Sequence, residues 1–305
     1  MSTRPHPVLR VRRGRDVRSG RFWIGVLPWL WMLFFFVLPF VLIANVSLST
    51  PELAVPPYIS PFACGVEAGA ASFCPDPSSY RRLGEEVLSL AAAGAERQYL
   101  GAFANSLELA SLATLCCLLI GYPFAYHLAR ARESLRNTLL MLVMLPFWTS
   151  FLLRVYAWMG LLDSSEVGLI NQMLLGLGVV AEPLPLLYNR GAVLLGMVYS
   201  YLPFMVLPLY ANLVKLDLRL LEAACDLGAR PLTVFVRITL PLSWRGIVAG
   251  SMLVFIPAVG EFVIPDLLGG GSVLTIGRSI WDDFGPNQDW PRAAAVAVIM
   301  VLMLI

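Results

Sequence analysis

Residues 22–48 read FWIGVLPWLWMLFFFVLPFVLIANVSL. No Asp, Glu, Lys or Arg interrupts this run, and it exceeds the roughly 20 apolar residues that cross about 30 Å of hydrocarbon as a helix. A cleaved secretion signal is excluded, because its apolar region is only about 7–15 residues long and a small-residue cleavage site follows it closely. The first 21 residues hold seven arginines against one acid, Asp16. Such a cluster suits either nucleic acid or the cytoplasmic flank of a membrane span, and the apolar run that starts at Phe22 selects the flank. Composition agrees: 58% of the 305 residues are hydrophobic and 14% charged, against about 25% charged in a soluble domain.

Five further apolar runs follow, at 103–128, 137–160, 191–214, 245–267 and 292–305. The last is short, about 20 Å as a helix, and the chain stops inside it, which points to a clipped final span. The loops between the runs alternate in charge. Residues 129–136 carry Arg130, Arg132 and Arg136, and residues 215–245 carry Lys215, Arg219, Arg230, Arg237 and Arg245. In 49–101, 161–190 and 268–291, acids outnumber bases. Basic loops belong on the cytoplasmic side, so both termini are expected there. The fold class expected is all-α, a polytopic transmembrane bundle of six spans. No run alternates with period two, which excludes a β-barrel.

The chain therefore divides into a basic cytoplasmic tail (1–21), a first transmembrane helix (22–48), an outer loop (49–101) and a helical core (102–305). The outer loop is rich in Pro, Ala and Gly and is expected to be partly irregular. Its Cys64 and Cys74 face an oxidising compartment, where they either pair or remain two free thiols. Residues 164–178, SSEVGLINQMLLGLG, form a helix too short to span, with Ser164 or Ser165 as cap and Gly176 or Gly178 as terminator. No C-x-x-C pair or spaced histidine cluster offers a metal site.

One cytoplasmic loop is unusually long. Residues 215–244 read KLDLRLLEAACDLGARPLTVFVRITLPLSW. Asp217 is placed to cap a helix. Leu220, Ala223, Ala224 and Leu227 share one helical face. Gly228 stands where a helix ends in a left-handed residue, and Pro231 suits the first turn of a second helix. There Leu232, Phe235, Val236 and Thr239 share a face, and Pro241 is expected to end the helix. Such a hairpin either lies on the membrane surface or is gripped by a soluble partner. The small side chains of Ala223 and Ala224 would let a groove close over the backbone, with Glu222 and Asp226 offering charge.

The spacing Glu222-Ala223-Ala224, Gly228, Ile238, Leu240-Pro241 resembles the EAA loop of ABC importer permeases. PFWTSFLLRVYAW (146–158), GLIN (168–171), YLPFMVLPLY (201–210), GEFVIPDLLGG (260–270) and Asp289-Trp290 before Pro291 are similar to the spermidine/putrescine branch. The similarity covers about 100–305; the long outer loop and the stop at Ile305 depart from it. The resemblance implies a type I importer permease in a bacterial inner membrane, with the 49–101 loop periplasmic. It also implies a role in ATPase coupling for Glu222, Ala223, Ala224, Asp226, Gly228, Ile238, Leu240 and Pro241. Its implied partners are a dimer of ATPase subunits, a second homologous permease subunit and an external solute-binding protein. The implied solute is a polyamine or a similar small cation, the alternative being another small organic solute. Neither a G-x-x-x-x-G-K-[ST] loop nor a catalytic constellation occurs, so ATP and Mg are expected on the partner and this chain is not expected to be an enzyme. A secondary transporter or channel needing no ATPase would show internal repeats, and none is clear.

Ionisable groups at membrane depth are costly and hence functional candidates. Glu261 lies in the fifth run among Pro257, Gly260 and Pro265. It is either the counter-charge for a cationic solute or part of a structural ion pair or hydrogen bond within the bundle, with Arg154 as the obvious partner. Arg154 is a poor contact for a cation and reads as structural, pairing with Glu261 or with an acid near the outer surface. Asp163 stands at the outer end of the third run, where it can meet a cation. Tyr156, Trp158, Tyr199 and Tyr201 offer ring faces to ammonium groups or serve as interfacial anchors.

Overall fold

The computed structural model describes residues 16–52, 55–62, 74–88 and 98–304. The chain forms two compact units: Met1–Ser79 with Trp290–Ile299, and Tyr80–Asp289 with Met300–Ile305. In the first unit, α1 (Asp16–Ser47) contains the first expected span. Its Val26–Ser47 segment has mean hydropathy 2.5, and large apolar side chains from Leu27 to Ile43 are exposed. Exposed apolar surface of that extent suits lipid or another apolar surface, not water. Two-residue strands β1 (Thr50–Pro51) and β2 (Tyr58–Ile59) pair antiparallel, Thr50 opposite Ile59. Cys74 is disulfide-bonded; Cys64 lies outside the described residues. Helix α2 spans Ser78–Leu88.

The second unit is built on three helices: α3 (Gln98–Arg130), α7 (Arg190–Leu213) and α11 (Trp244–Val259), which pack against one another. Lipid offers no hydrophobic drive for helices to meet, so close approach depends on small residues. A Cβ on Gly121 of α3 would stand 3.1 Å from Met205 Cγ of α7. One on Gly250 of α11 would meet the sulfur of Met205 at 2.8 Å and its carbonyl oxygen at 3.1 Å. Between α3 and α7 lie α4 (Glu133–Met144), α5 (Phe151–Leu162) and α6 (Leu169–Gly176). Glu108, an acid within α3, pairs with Arg190 at the start of α7 at 2.7 Å.

After α7 come α8 (Leu218–Asp226), α9 (Pro231–Val234), a π-turn over Phe235–Thr239, and α10 (Leu240–Leu242). Beyond α11 lie α12 (Val263–Gly269), α13 (Ile276–Phe284) and α14 (Trp290–Leu304). Among the described residues three helices are long and apolar enough to cross a membrane, and two bent pairs, each counted as one span, bring the number to five. The sixth expected span is α14, 15 residues long.

Three expectations need correction. The third run is not one straight helix: α4 continues as a 3₁₀ turn at Leu145–Trp148, then bends by 90° into α5. Pro146 lacks the N–H that would continue the α ladder. The fifth run stops at Val259 instead of reaching 267, because Gly260–Phe262 separate α11 from α12. Helix α6 begins after Gly168, not at a serine. The Ser164 hydroxyl accepts from Leu187 N and the Ser165 hydroxyl from Val167 N. Its end is as expected: Gly178 has φ +68°, and Val179 N donates to Leu174 O.

Gly250→Leu is expected to cost about 1–3 kcal/mol through overpacking against a backbone that cannot yield. The readout is a lower melting temperature of the detergent-solubilised protein. Gly101→Ala, whose added Cβ meets nothing within 4 Å, should be neutral or stabilising; equal behaviour of the two variants would contradict this packing.

Candidate functional site

Two regions hold the residues singled out above. The first is the hairpin. Asp217 caps α8 by accepting from Arg219 N at 3.0 Å. At the other end Gly228 has φ +81°, a conformation that side chains with a Cβ resist. Gly228 N donates to Cys225 O at 2.8 Å and Ala229 N to Ala224 O at 3.1 Å, the paired bonds of a Schellman terminator. Pro231 then opens the second helix. No residue of α8 is buried. Leu220, Ala223 and Leu227, three of the four residues on its expected apolar face, are exposed, Leu227 by 90%. Around Gly228 the space is open, with nothing within 4 Å of an added Cβ.

In the second hairpin helix the expected face splits. Thr239 is buried and Phe235 half-buried, while Leu232 and Val236 are exposed. Pro241 does not end the helix, which runs through Leu242 and breaks at Ser243 with a 64° bend. A proline at 241 has no N–H for the carbonyl four residues back. The backbone widens before it: Leu240 N donates to Phe235 O, one residue further than an α-helix allows. Glu222, Asp226 and Pro241 are exposed and Ile238 half-buried, so the coupling set lies largely at the surface.

The second region is the break at Gly260–Phe262. Glu261 turns back on the start of α12: its Oε1 accepts from Val263 N at 2.9 Å and from Ile264 N at 3.4 Å. Its Oε2 accepts from the hydroxyl of Tyr201 on α7. Thr275 Oγ1 donates to Glu261 O at 3.3 Å. Gly277 of α13 lies so close that a Cβ would stand 2.4 Å from Gly260 O. The carboxylate is thus fixed by neutral donors from two sides, the start of α12 and Tyr201 of α7.

The expected ion pair between Arg154 and Glu261 does not form. Among the described residues Arg154 makes no ion pair; its guanidinium lies 5.6 Å from the ring centre of Phe147 and 5.7 Å from that of Phe151. Two of its nitrogens, Nε and Nη1, are buried without a hydrogen bond. The 90° bend before α5 seats it over these rings. Asp163 closes a tight loop after α5. Its Oδ1 accepts from Ser165 N at 2.8 Å, and that bond holds the carboxyl below its ordinary pKa. Tyr156 is exposed, and Trp158 packs edge-on against Tyr199, centroids 5.4 Å apart. No hydrogen bond or ion pair joins Glu261 to Asp163, Tyr156 or Trp158 among the described residues.

Two residues of this region escaped sequence reasoning as functional parts. Tyr201 was read only as a ring. Asn171 carries no charge to attract notice, yet it is fully buried. Its Nδ2 donates to Asp163 O and Leu184 O, and its Oδ1 accepts from Leu184 N, all at 3.0 Å. Gly168 is needed there too, since a Cβ would stand 2.1 Å from Asp163 O. Glycine and asparagine three residues apart, after a span, were the available signal.

Residues 117–305 match the family described as binding-protein-dependent transport system inner membrane component. The spermidine/putrescine transport system permease protein PotB of Haemophilus influenzae is 45% identical over 200 residues, covering 66% of this chain and 69% of that one. Its namesake in Escherichia coli is 44% identical over 206 residues, covering 68% and 74%. The inner membrane ABC transporter permease protein YdcU of Escherichia coli is 32% identical over 210 residues, covering 66% and 67%. Among solved structures, a chain of a bacterial ABC transporter involved in alginate import aligns with TM-score 0.63 at 17% identity. That alignment covers 95% of this chain and 93% of the other, a likeness of fold.

Glu261→Ala removes the acceptor for two backbone N–H groups and a tyrosine hydroxyl. We expect a loss of about 1–3 kcal/mol, the cost of stranded buried donors, seen as a lower melting temperature. Glu261→Gln keeps one carbonyl acceptor and should lose less; an alanine variant as stable as the parent would contradict the capping role.

Proposed function

This chain belongs to the binding-protein-dependent transport system inner membrane component family, and from that premise we propose that it forms half of a polyamine path driven by a separate ATPase. The observation that carries the reading is the hairpin: an ordered helix that ends at Gly228, has no buried residue and leaves Leu220 and Leu227 exposed. A monomeric surface rarely exposes leucines in this way without an interaction to cover them. In this reading each hairpin sits in a cleft of an ATPase subunit, with Glu222 and Asp226 facing basic groups of that cleft. ATP and its Mg²⁺ are held by the ATPase. Closure of the ATPase dimer moves α8, and the bent second helix passes that motion into α11. A second homologous permease subunit completes the path, and an external binding protein delivers the solute. Both termini lie in the cytoplasm, as the arginine-rich tail favours.

The polyamine assignment rests on the 44–45% identity to permeases named for spermidine and putrescine and on the state of Glu261. Its carboxylate is positioned by neutral donors and not spent on Arg154. A negative charge so placed in a partly dry cleft attracts an ammonium group more strongly than it would in water.

Two variants test the two halves of this reading. Gly228→Trp should prevent co-purification of the ATPase while the permease still inserts, because the open space at the bend is where the partner would sit. Glu261→Gln should leave ATPase attachment intact and lower polyamine uptake in proteoliposomes by about tenfold or more, as expected for loss of one desolvated charge contact. Intact attachment in the first variant would overturn the docking role. Unchanged uptake in the second would remove Glu261 from the path.

A further inference from the structure

The hairpin is joined to more than the two spans it connects. The bend between α10 and α11 falls at Ser243, which is fully buried. Its hydroxyl donates to Leu240 O at 3.0 Å. The same oxygen lies 2.8 Å from the hydroxyl of Tyr122 on α3, itself only 7% exposed. Ser243 has one proton, so both contacts are made together only with Tyr122 as the donor. The two hydroxyls form a relay from α3 to the last carbonyls of the second hairpin helix. A second contact lies one turn and more before it. Phe235, which opens the π-turn, meets the Tyr122 ring edge-on at 5.6 Å and the Tyr126 ring at 6.0 Å. Tyr126 is backed in turn by Arg130, 3.4 Å from its ring centre.

Helix α3 continues unbroken from this joint to the far side of the unit. There Asn105 Nδ2 donates to Leu274 O at 3.1 Å, and Ser106 Oγ accepts from Ile276 N at 2.8 Å. Between those two anchors lies Thr275, whose hydroxyl holds Glu261 O. Sixteen residues of helix separate Ser106 from Tyr122, a rise of about 24 Å along α3, with Pro123 next to the tyrosine. One continuous helix therefore touches the bend of the hairpin at one end and the frame of Glu261 at the other.

We propose that Tyr122 is a positioning residue for coupling, which makes α3 a third recipient of the stroke and carries it to the Glu261 break. The proposal rests on the docking role of the hairpin given above. Tyr122 touches neither solute nor nucleotide; it fixes the angle between hairpin and bundle.

The experiment is a double-mutant cycle on the assembled transporter in proteoliposomes, reading solute imported per ATP hydrolysed. Tyr122→Phe keeps the ring contacts with Phe235 and loses only the donor. It should leave ATPase attachment and complex yield unchanged and lower the import-to-ATP ratio by about threefold to tenfold, the worth of one buried neutral hydrogen bond. Ser243→Ala should do the same, and the double variant should be no worse than either single. Ser243→Thr keeps a hydroxyl and should retain the ratio. A role in folding alone would lower yield and leave the ratio of the surviving complexes unchanged. An unchanged ratio in Tyr122→Phe, or additive losses in the double variant, overturns the proposal. Should Tyr122→Phe fail to assemble, the Ser243→Ala and Ser243→Thr pair decides by the same ratio. These outcomes differ from failure of the docking role, which shows as ATPase attachment surviving Gly228→Trp.

Discussion

Hydrocarbon offers a peptide group no hydrogen-bond partner, so a break in an apolar helix must bring its own donors and acceptors. A break buried in protein answers to the same rule, and three breaks of this chain show how. At Ser243 the answer is a hydroxyl relay from Tyr122 to Leu240 O. At Gly260–Phe262 it is the Glu261 carboxylate, turned onto the first N–H groups of α12 and held by Tyr201. After α5 it is Asn171, which ties Asp163 to Leu184. Buried polar side chains are costly without partners, and the chain places these where backbone groups need them.

The same places hold the residues to which the proposed function is assigned. The hairpin leaves the bundle at one break, and the candidate counter-charge for a cation sits at another. A straight helix would transmit motion but leave no carbonyls or carboxylate along a path. Breaks supply both a hinge and a polar lining, while α3, unbroken over Gln98–Arg130, ties them together.

Much of this could be read from residues in order. Hydropathy located the spans because a membrane helix must be apolar over its whole length. The hairpin was legible because its signals are local: Asp217 caps, Gly228 takes φ +81° and Pro231 opens the next helix. What stayed hidden depends on how the backbone turns and, at Glu261, on a partner far away in the chain. A hydropathy window sums composition and cannot see a 90° turn at Pro146–Ser150. Arg154 was matched with Glu261 because opposite charges in lipid invite pairing, yet the turn put the guanidinium over Phe147 and Phe151. Tyr201, sixty residues before Glu261, took the place of the arginine. Pro241 was read as a stop, although a π-turn absorbs its missing N–H and carries the helix two residues further.

The central claim is that α8 protrudes on the cytoplasmic side and is covered by an ATPase. The chain supplies its own reporter, since Cys225 is an exposed free thiol between Ala224 and Asp226, while the other free thiols among the described residues, Cys116 and Cys117, are half-buried and buried within α3. A membrane-impermeant maleimide applied to inside-out vesicles should label Cys225 readily in the permease without ATPase subunits and only slowly once they are bound. Equal labelling in both cases, or labelling only from the opposite face of the membrane, would contradict the account.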